Sequence, residues 1–394
     1  MNRLLIVCLT IVSAVQSQHL SSMIQLPLLE SSHVKLENGI DPNHLLVIEC
    51  INSNKAVELE CTVTIHLTDN STDICSLTLA AKEDMDDIEL LSIHQLSDNK
   101  VMIVWGDFEP RRGSLSYYQS IFYIKRITIV EMSTCASVKT LLHRYFLGSR
   151  RRLQAVVPFA EGFDAVVTCQ PYYENCSSTR ESYDSSGNEL GEVEALPVQL
   201  EHISALAVSR EDRSAGIFIY GTSDDLNTNV SHVAAGSVKR SLSLRTDIRQ
   251  AVSHADGEGS LAICGRVVGK PRFIECTHYD ATTNKVVEYR TSLPGYVDVV
   301  GVRRLRNGSL LLLAIDDNEI MLAVMGKDRH VTFAVPIDWR ATTGKCRVRG
   351  FNEKEANFGF VCETHVEGKR SLVTQMFALP AKLRENQGEN STET

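Results

Sequence analysis

Between Val297 and Val335 the apolar residues fall into four short runs, Val297–Arg303, Leu310–Ile315, Ile320–Met325 and His330–Val335. Arg304–Ser309, Asp316–Glu319 and Gly326–Arg329 link them. Links this short allow only antiparallel hairpins, because a parallel crossover takes about a dozen residues or more. The stretch therefore predicts a four-stranded meander. Its second run, Leu310–Ile315, is apolar at every position, as expected of a strand covered on both faces. A lone meander cannot cover its own faces, so this one needs neighbours.

The same hairpin pattern runs along most of the chain. A lead-in, Gln18–Glu37, ends in the short strand Val34–Glu37, and Leu45–Cys50 and Val57–Leu67 follow. A second unit takes Ile88–Leu96, Val101–Trp105 and Ile121–Val130, with the longest inserted loop, Gly106–Ser120. The mixed apolar spacing of Ala136–Phe146 reads as a short helix, the one helical candidate. The third unit is Leu153–Phe159, Asp164–Cys169 and Arg180–Leu190, and the fourth is His202–Ser209, Gly216–Gly221 and His232–Ala235. The fifth is Ile248–Ser253, Ser260–Cys264, Arg272–His278 and Lys285–Tyr289. The opening meander is the sixth, and Cys346–Phe351, Phe358–Glu363 and Ser371–Phe377 form the seventh.

Unit starts near 202, 250, 298 and 346 are spaced by 48 residues three times over. That recurrence predicts an all-β chain forming a single β-propeller of seven, alternatively six, four-stranded antiparallel blades. The last unit owns only three strands. The N-terminal lead-in is expected to supply the fourth and close the ring, leaving no long exposed edge. Tandem β-sandwich domains are the competing reading, but each needs about 100 residues and Greek-key returns, where these runs look like meanders at half that period.

The first residues add a compartment. Met1-Asn2-Arg3, apolar Leu4–Val12 and small or polar Ser13–Ser17 have the layout of a secretory signal peptide. The expected segments are a signal peptide at 1–17, the propeller at 18–380 and a polar tail at 381–394, with no membrane span, because the apolar run falls short of the roughly 20 residues a bilayer requires. Of the 11 cysteines, Cys8 leaves with the signal. The even remainder implies full pairing in an exported chain. Cys264 with Cys276 and Cys346 with Cys362 fall on consecutive strands of one hairpin, Cys50 with Cys61 and Cys169 with Cys176 are similar local pairs, and Cys75 is left with Cys135 by elimination. Metal binding by these cysteines is disfavoured, since no Cys-x-x-Cys pair occurs. Candidate glycosylation sites are Asn70, Asn175, Asn229, Asn307 and Asn390, all read as turns, loops or tail.

Candidate chemistry is sparse. Gly-x-Ser-x-Gly, His-Glu-x-x-His and phosphate-cradling glycine loops are missing, so no catalytic residue, cofactor or metal is expected and the chain reads as a non-enzyme. Ser182–Gly187 is similar to the aspartate box of sialidases, but its glycine comes one place late and the closing Thr-Trp is missing, so it reads as a turn. Asp316–Glu319 has the oxygen ligands calcium favours, yet hairpin turns favour Asp and Asn anyway. His94, His202 and His278 sit on strand patterns, where a satisfied half-buried imidazole is the simpler account. Two basic clusters, Arg144 with Arg150, Arg151 and Arg152, and Arg303-Arg304 with Arg306, stand against a net charge of −9. The first is a candidate patch for a sulfated glycan or phospholipid headgroup, or a processing site. The acidity argues against nucleic acid.

The signal Met-Asn-Arg-Leu-Leu-Ile-Val-Cys-Leu-Thr-Ile-Val, the chain length, the ten remaining cysteines in local pairs and the scattered sequons together resemble secreted salivary proteins of blood-feeding flies, mosquitoes in particular. The resemblance covers the general layout and carries no site residue. It implies release into a host and binding to an extracellular, host-derived protein or receptor. Gly106–Ser120 and Tyr145–Arg152 are the first loops to test for such a partner. The alternative is a small-ligand carrier or hydrolase using the central channel. That alternative calls for a polar crown from several first strands, and Val297–Arg303 and His202–Ser209 are read as offering no matching position.

Overall fold

The computed structural model describes residues 13–14, 24–38, 45–53, 58–66, 72–80, 88–109, 122–146, 151–169, 178–198, 201–222, 228–244, 252–255, 259–267, 269–293, 298–305, 308–315, 319–326, 330–336, 346–352 and 357–378. They form seven sheets, each built on a four-stranded antiparallel blade. Blade 1 is His33–Asn38, Leu45–Asn52, Glu58–His66 and Thr72–Ala80, and blade 2 is Ile88–Ser97, Lys100–Glu109, Phe122–Glu131 and Ala136–Phe146. Blade 3 is Arg151–Phe159, Gly162–Cys169, Ser178–Asp184 and Glu194–Leu196, and blade 4 is Glu201–Ala207, Ile217–Thr222, Thr228–Ala234 and Ser237–Leu244. Blade 5 is Val252–Ala255, Ser260–Val267, Lys270–Asp280 and Lys285–Ser292, and blade 6 is Asp298–Arg304, Leu310–Ile315, Glu319–Met325 and His330–Pro336. Blade 7 is Cys346–Asn352, Asn357–Val366 and Lys369–Ala378. Its outermost strand is Ile24–Pro27, which pairs with Ser371–Thr374.

The first strands of successive blades touch one another, so each first strand is the innermost and lines the central channel. All of them begin at one end of the ring, the top, and finish at the other, the bottom. In a meander, the links between blades and the hairpins between second and third strands then fall at the top, and the other hairpins at the bottom.

Seven apolar clusters, one at each joint between neighbouring blades, hold the ring together. The run Leu310–Ile315 shows why its pattern lacks alternation. Leu310, Leu312 and Ala314 pack toward blade 5, while Leu311, Leu313 and Ile315 pack toward blade 7. Close to the axis the packing tolerates no excess: a Cβ on Gly301 would lie 2.3 Å from Val348 Cγ2 of blade 7. At the joint of blades 3 and 4, fully buried Asp164 accepts from Arg180 Nε at 2.6 Å and Ser182 Oγ at 2.7 Å, with Arg213 Nε at 3.3 Å. A buried carboxylate needs such company to stay charged.

Among the described residues the joint of blades 7 and 1 has the smallest apolar cluster, Leu36, Leu45, Val47, Val361 and Leu372, and a polar clasp supplements it. Arg370 donates through Nε to Glu363 Oε1 at 2.7 Å, and through Nη1 to the carbonyls of Leu29 at 3.0 Å and Ser32 at 2.7 Å. Its own carbonyl accepts from Leu28 N at 2.9 Å. The segment between the closing strand and blade 1 is thereby bonded to blade 7. Ser13–Ala14 also pairs in parallel with Phe333 and Ala334 of blade 6, within the stretch expected to leave with the signal.

Several expectations need correction. Ala136–Phe146 is the outermost strand of blade 2, not a helix; a bulge between Ser137 and Lys139 breaks its alternation and produced the mixed spacing. Blade 1 begins at His33 rather than Leu45, so the lead-in divides between two blades and both irregular N-terminal units are complete. In blade 3 the third strand ends at Asp184 and the short fourth strand is Glu194–Leu196. Asn229 lies in a strand, with Ser231 of its sequon buried against Ser241, rather than in a loop.

Candidate functional site

The site emerges at the bottom of the channel, where the innermost strands end. Glu37, His254 and Arg303 are each the penultimate residue of an innermost strand, in blades 1, 5 and 6. Gln95 stands near the end of the innermost strand of blade 2, and Arg210 in the hairpin that follows that of blade 4. Arg210 Nη2 donates to the Gln95 carbonyl at 2.6 Å, reaching past blade 3 to blade 2. Ala160 N of blade 3 donates to the Arg210 carbonyl at 3.0 Å on the way. Such a bond between blades that are not neighbours is possible only across the channel.

The electrostatics fit this placement. Burial pushes the Arg303 guanidinium down to about 10, with Glu37 opposing the shift. Burial also lowers Arg210, opposed by Glu211 and Glu37. Glu37 of blade 1 is therefore felt by arginines of blades 4 and 6, again across the axis. Burial, then Arg303, hold His254 well below the ordinary histidine value, so its ring is neutral at physiological pH. Glu37, Arg210, His254 and Arg303 all keep part of their surface accessible, as groups lining a narrow channel should while protein encloses them. The expectation that the first strands offer no polar crown is thus overturned. The signal was in the repeat: Leu206, His254, Arg303 and Phe351 are penultimate in blades 4 to 7, at spacings of 48, 49 and 48 residues. Bulges in the innermost strands of blades 6 and 7 displace Arg303 and Phe351 from strict period.

The other candidates are spread around the ring. Cys50–Cys61, Cys264–Cys276 and Cys346–Cys362 are disulfides between directly opposed residues, with Cα–Cα distances of 4.1, 4.0 and 4.1 Å. Cys75 and Cys135 are separate thiols in hydrogen-bond contact across the joint of blades 1 and 2. Cys169 ends a strand of blade 3, and Cys176 lies outside the described residues. So do Asn70, Asn175, Asn307, Asn390, Arg150, Arg306, residues 316–318 and residues 110–120 of the long loop. Arg144 falls in the outer strand of blade 2, and Arg151 and Arg152 start the innermost strand of blade 3, at the top. Ser182–Gly187 is a turn: Asp184 Oδ1 accepts from the amides of Ser186 and Asn188, both at 2.8 Å. Asp280 does the same in blade 5 with the amides of Thr282 and Thr283. No helix among the described residues is long and apolar enough to cross a membrane.

No family model matches the chain, and no curated protein matches its sequence. Solved structures do align with it. Acylaminoacyl peptidase of Pyrococcus horikoshii does so at 12% identity and a TM-score of 0.45, over 91% of this chain and 54% of that one. Hydrazine synthase of Kuenenia stuttgartiensis aligns at 10% and 0.46, over 87% and 98%. The β-propeller domain of Myceliophteria thermophila Cps50 (Swd1) aligns at 9% and 0.45, over 91% and 99%. The chain spans about half the length of the peptidase, and no site residue is carried over from any of them.

The rim is uneven. Ile74, Val138, Leu142, Leu190 and Val193, on blades 1 to 3, are five of the eight large apolar side chains exposed among the described residues. Leu142 is 63% and Ile74 64% exposed. A recess of about 350 Å³ lies on blade 1, lined by Leu29, Glu49, Glu60, Thr62, Ser76 and Thr78 among others.

Proposed function

We propose that the protein is an exported, non-enzymatic binding protein that takes an extracellular protein partner on the outer rim of blades 1 to 3. The apolar residues Ile74, Val138, Leu142, Leu190 and Val193 on blades 1 to 3 carry this reading, since exposed apolar side chains concentrated on one part of a surface favour a partner that covers them. Export is supported by the signal-like start and by three disulfides. The layout shared with salivary proteins of blood-feeding flies supports a host protein as the partner. Arg144, in the outer strand of blade 2, and Arg151 and Arg152, at the start of the innermost strand of blade 3, belong to the basic cluster that would suit a sulfated glycan.

The test is a capture experiment from host plasma with three proteins: wild type, Ile74→Glu/Leu142→Glu, and Phe273→Glu, which places a charge elsewhere on the rim. A plasma protein retained by wild type and by Phe273→Glu but lost by the double variant is the expected outcome. Identical retention by all three would exclude these residues as the docking surface. The mass of the secreted product checks the signal, and a mature start near Gln18 is expected.

A further inference from the structure

The bottom of the channel carries an inference that does not depend on the docking reading. Arg303 stands at the end of the innermost strand of blade 6 and Arg210 in the hairpin that follows that of blade 4, and Glu37, at the end of the innermost strand of blade 1, is the carboxylate that opposes the lowering of both. Glu211 also opposes the lowering of Arg210. Neither arginine is fully used. The described partner of Arg303 is the carbonyl of the preceding residue, Val302, at 2.8 Å from Nη1. Arg210 spends Nη2 on the Gln95 carbonyl, while its Nε is buried with no hydrogen-bond partner among the described residues. A buried donor left without an acceptor is costly, and an incoming oxyanion would relieve it. Guanidinium forks match planar or tetrahedral oxyanions better than any other side chain does. Placement at the penultimate position of innermost strands fixes the backbone of Glu37, His254 and Arg303 in the sheets themselves, so the groups are held before a ligand arrives.

We propose that the bottom mouth of the channel binds a small oxyanion, the carboxylate or phosphate group of a small molecule, on Arg210 and Arg303, with Glu37 limiting its affinity. The competing account is a salt-bridged plug in which Glu37 holds the two arginines together across the axis and nothing binds.

The experiment titrates inorganic phosphate and, separately, acetate into the full-length protein at constant ionic strength set with chloride, following the melting temperature and the heat of binding. Saturable stabilisation by phosphate or by acetate is expected, and which anion acts identifies the group recognised. Arg303→Met and Arg210→Met should each weaken binding at least tenfold, while Glu37→Gln should tighten it severalfold. Circular dichroism establishes that each variant is folded, and Arg303→Lys replaces Arg303→Met if the latter is not, with the same weakening expected because the fork is lost. The proposal is overturned if neither anion gives a saturable effect on the wild type beyond chloride. It is equally overturned if Glu37→Gln lowers stability without tightening binding, the result a plug predicts.

Discussion

At the scale of single residues, the channel mouth makes His254 an acid-sensitive point. Burial and Arg303 keep its folded-state pKa well below the ordinary 6.5, whereas the unfolded chain has no such constraint. The unfolded state therefore takes up the proton first. Stability contributed by neutral His254 is complete above about pH 6.5 and is lost as pH falls from there toward the folded value. His254→Gln should flatten the stability profile between pH 7.5 and 5, by at most about 1.4 kcal/mol per pH unit, the slope of one proton. Urea unfolding of both proteins across that range checks this, and parallel profiles would show that His254 is as easily protonated in the folded protein as outside it. Gly301 shows the same crowding in apolar form, since Val348 fills the place its side chain would take.

At the scale of elements, the turns between third and fourth strands form a family. Cys135, Ala235 and Asn284, in blades 2, 4 and 5, all have φ between 47° and 56°, a region that costs most side chains energy and suits Asn or Gly. Cysteine has no conformational reason to occupy that position, but there it meets Cys75 of blade 1. Under oxidising conditions the two thiols should give up two hydrogens to a glutathione-type disulfide, which leaves as two thiols, and become a disulfide that joins neighbouring blades, where the three described disulfides each lie within one blade. A loop of 60 residues would then be closed, stabilising the fold by about 4 kcal/mol in the chain-entropy model. Non-reducing peptide mapping should recover Cys75 linked to Cys135. In Cys135→Ser, Cys75 should resist alkylation until the protein unfolds, because burial first, and then Cys135 itself in the wild type, push its thiol up to about 12. Free, readily alkylated thiols at both positions in the secreted protein would rule the bond out. The hairpins, the 48-residue period and the three local disulfides were legible because period-2 apolar runs and short links leave a strand few options. Ala136–Phe146 was not, because one bulge makes a strand's spacing resemble a helix. The polar mouth was missed for a related reason: Glu37, His254 and Arg303 are single residues at strand ends, and only superposing the repeats places them together.

At the scale of the whole molecule, stability depends on closing the ring, because every blade relies on two neighbours to cover its faces. Six joints are made by blades consecutive in sequence, but the seventh unites residues more than 300 positions apart, such as Leu36 with Val361. Among the described residues that joint has the smallest apolar cluster, so their hydrophobic contribution, at roughly 25 cal/mol per Å², is least where the chain entropy to be overcome is greatest. Arg370 offsets the deficit by bonding Glu363 and the carbonyls of Leu29 and Ser32 at once. Arg370→Met keeps much of the side chain's apolar bulk but leaves Glu363 and those carbonyls without their donor, at a cost of about 2–4 kcal/mol. The loss should appear first as faster hydrogen exchange in Ile24–Pro27 and its partner Ser371–Thr374, while blades 3 to 5 keep their protection until global unfolding. Exchange that rises evenly around the ring would mean that the closing joint is no weaker than the others. Unchanged exchange in Ile24–Pro27 would mean that pairing with Ser371–Thr374 alone suffices to close the propeller.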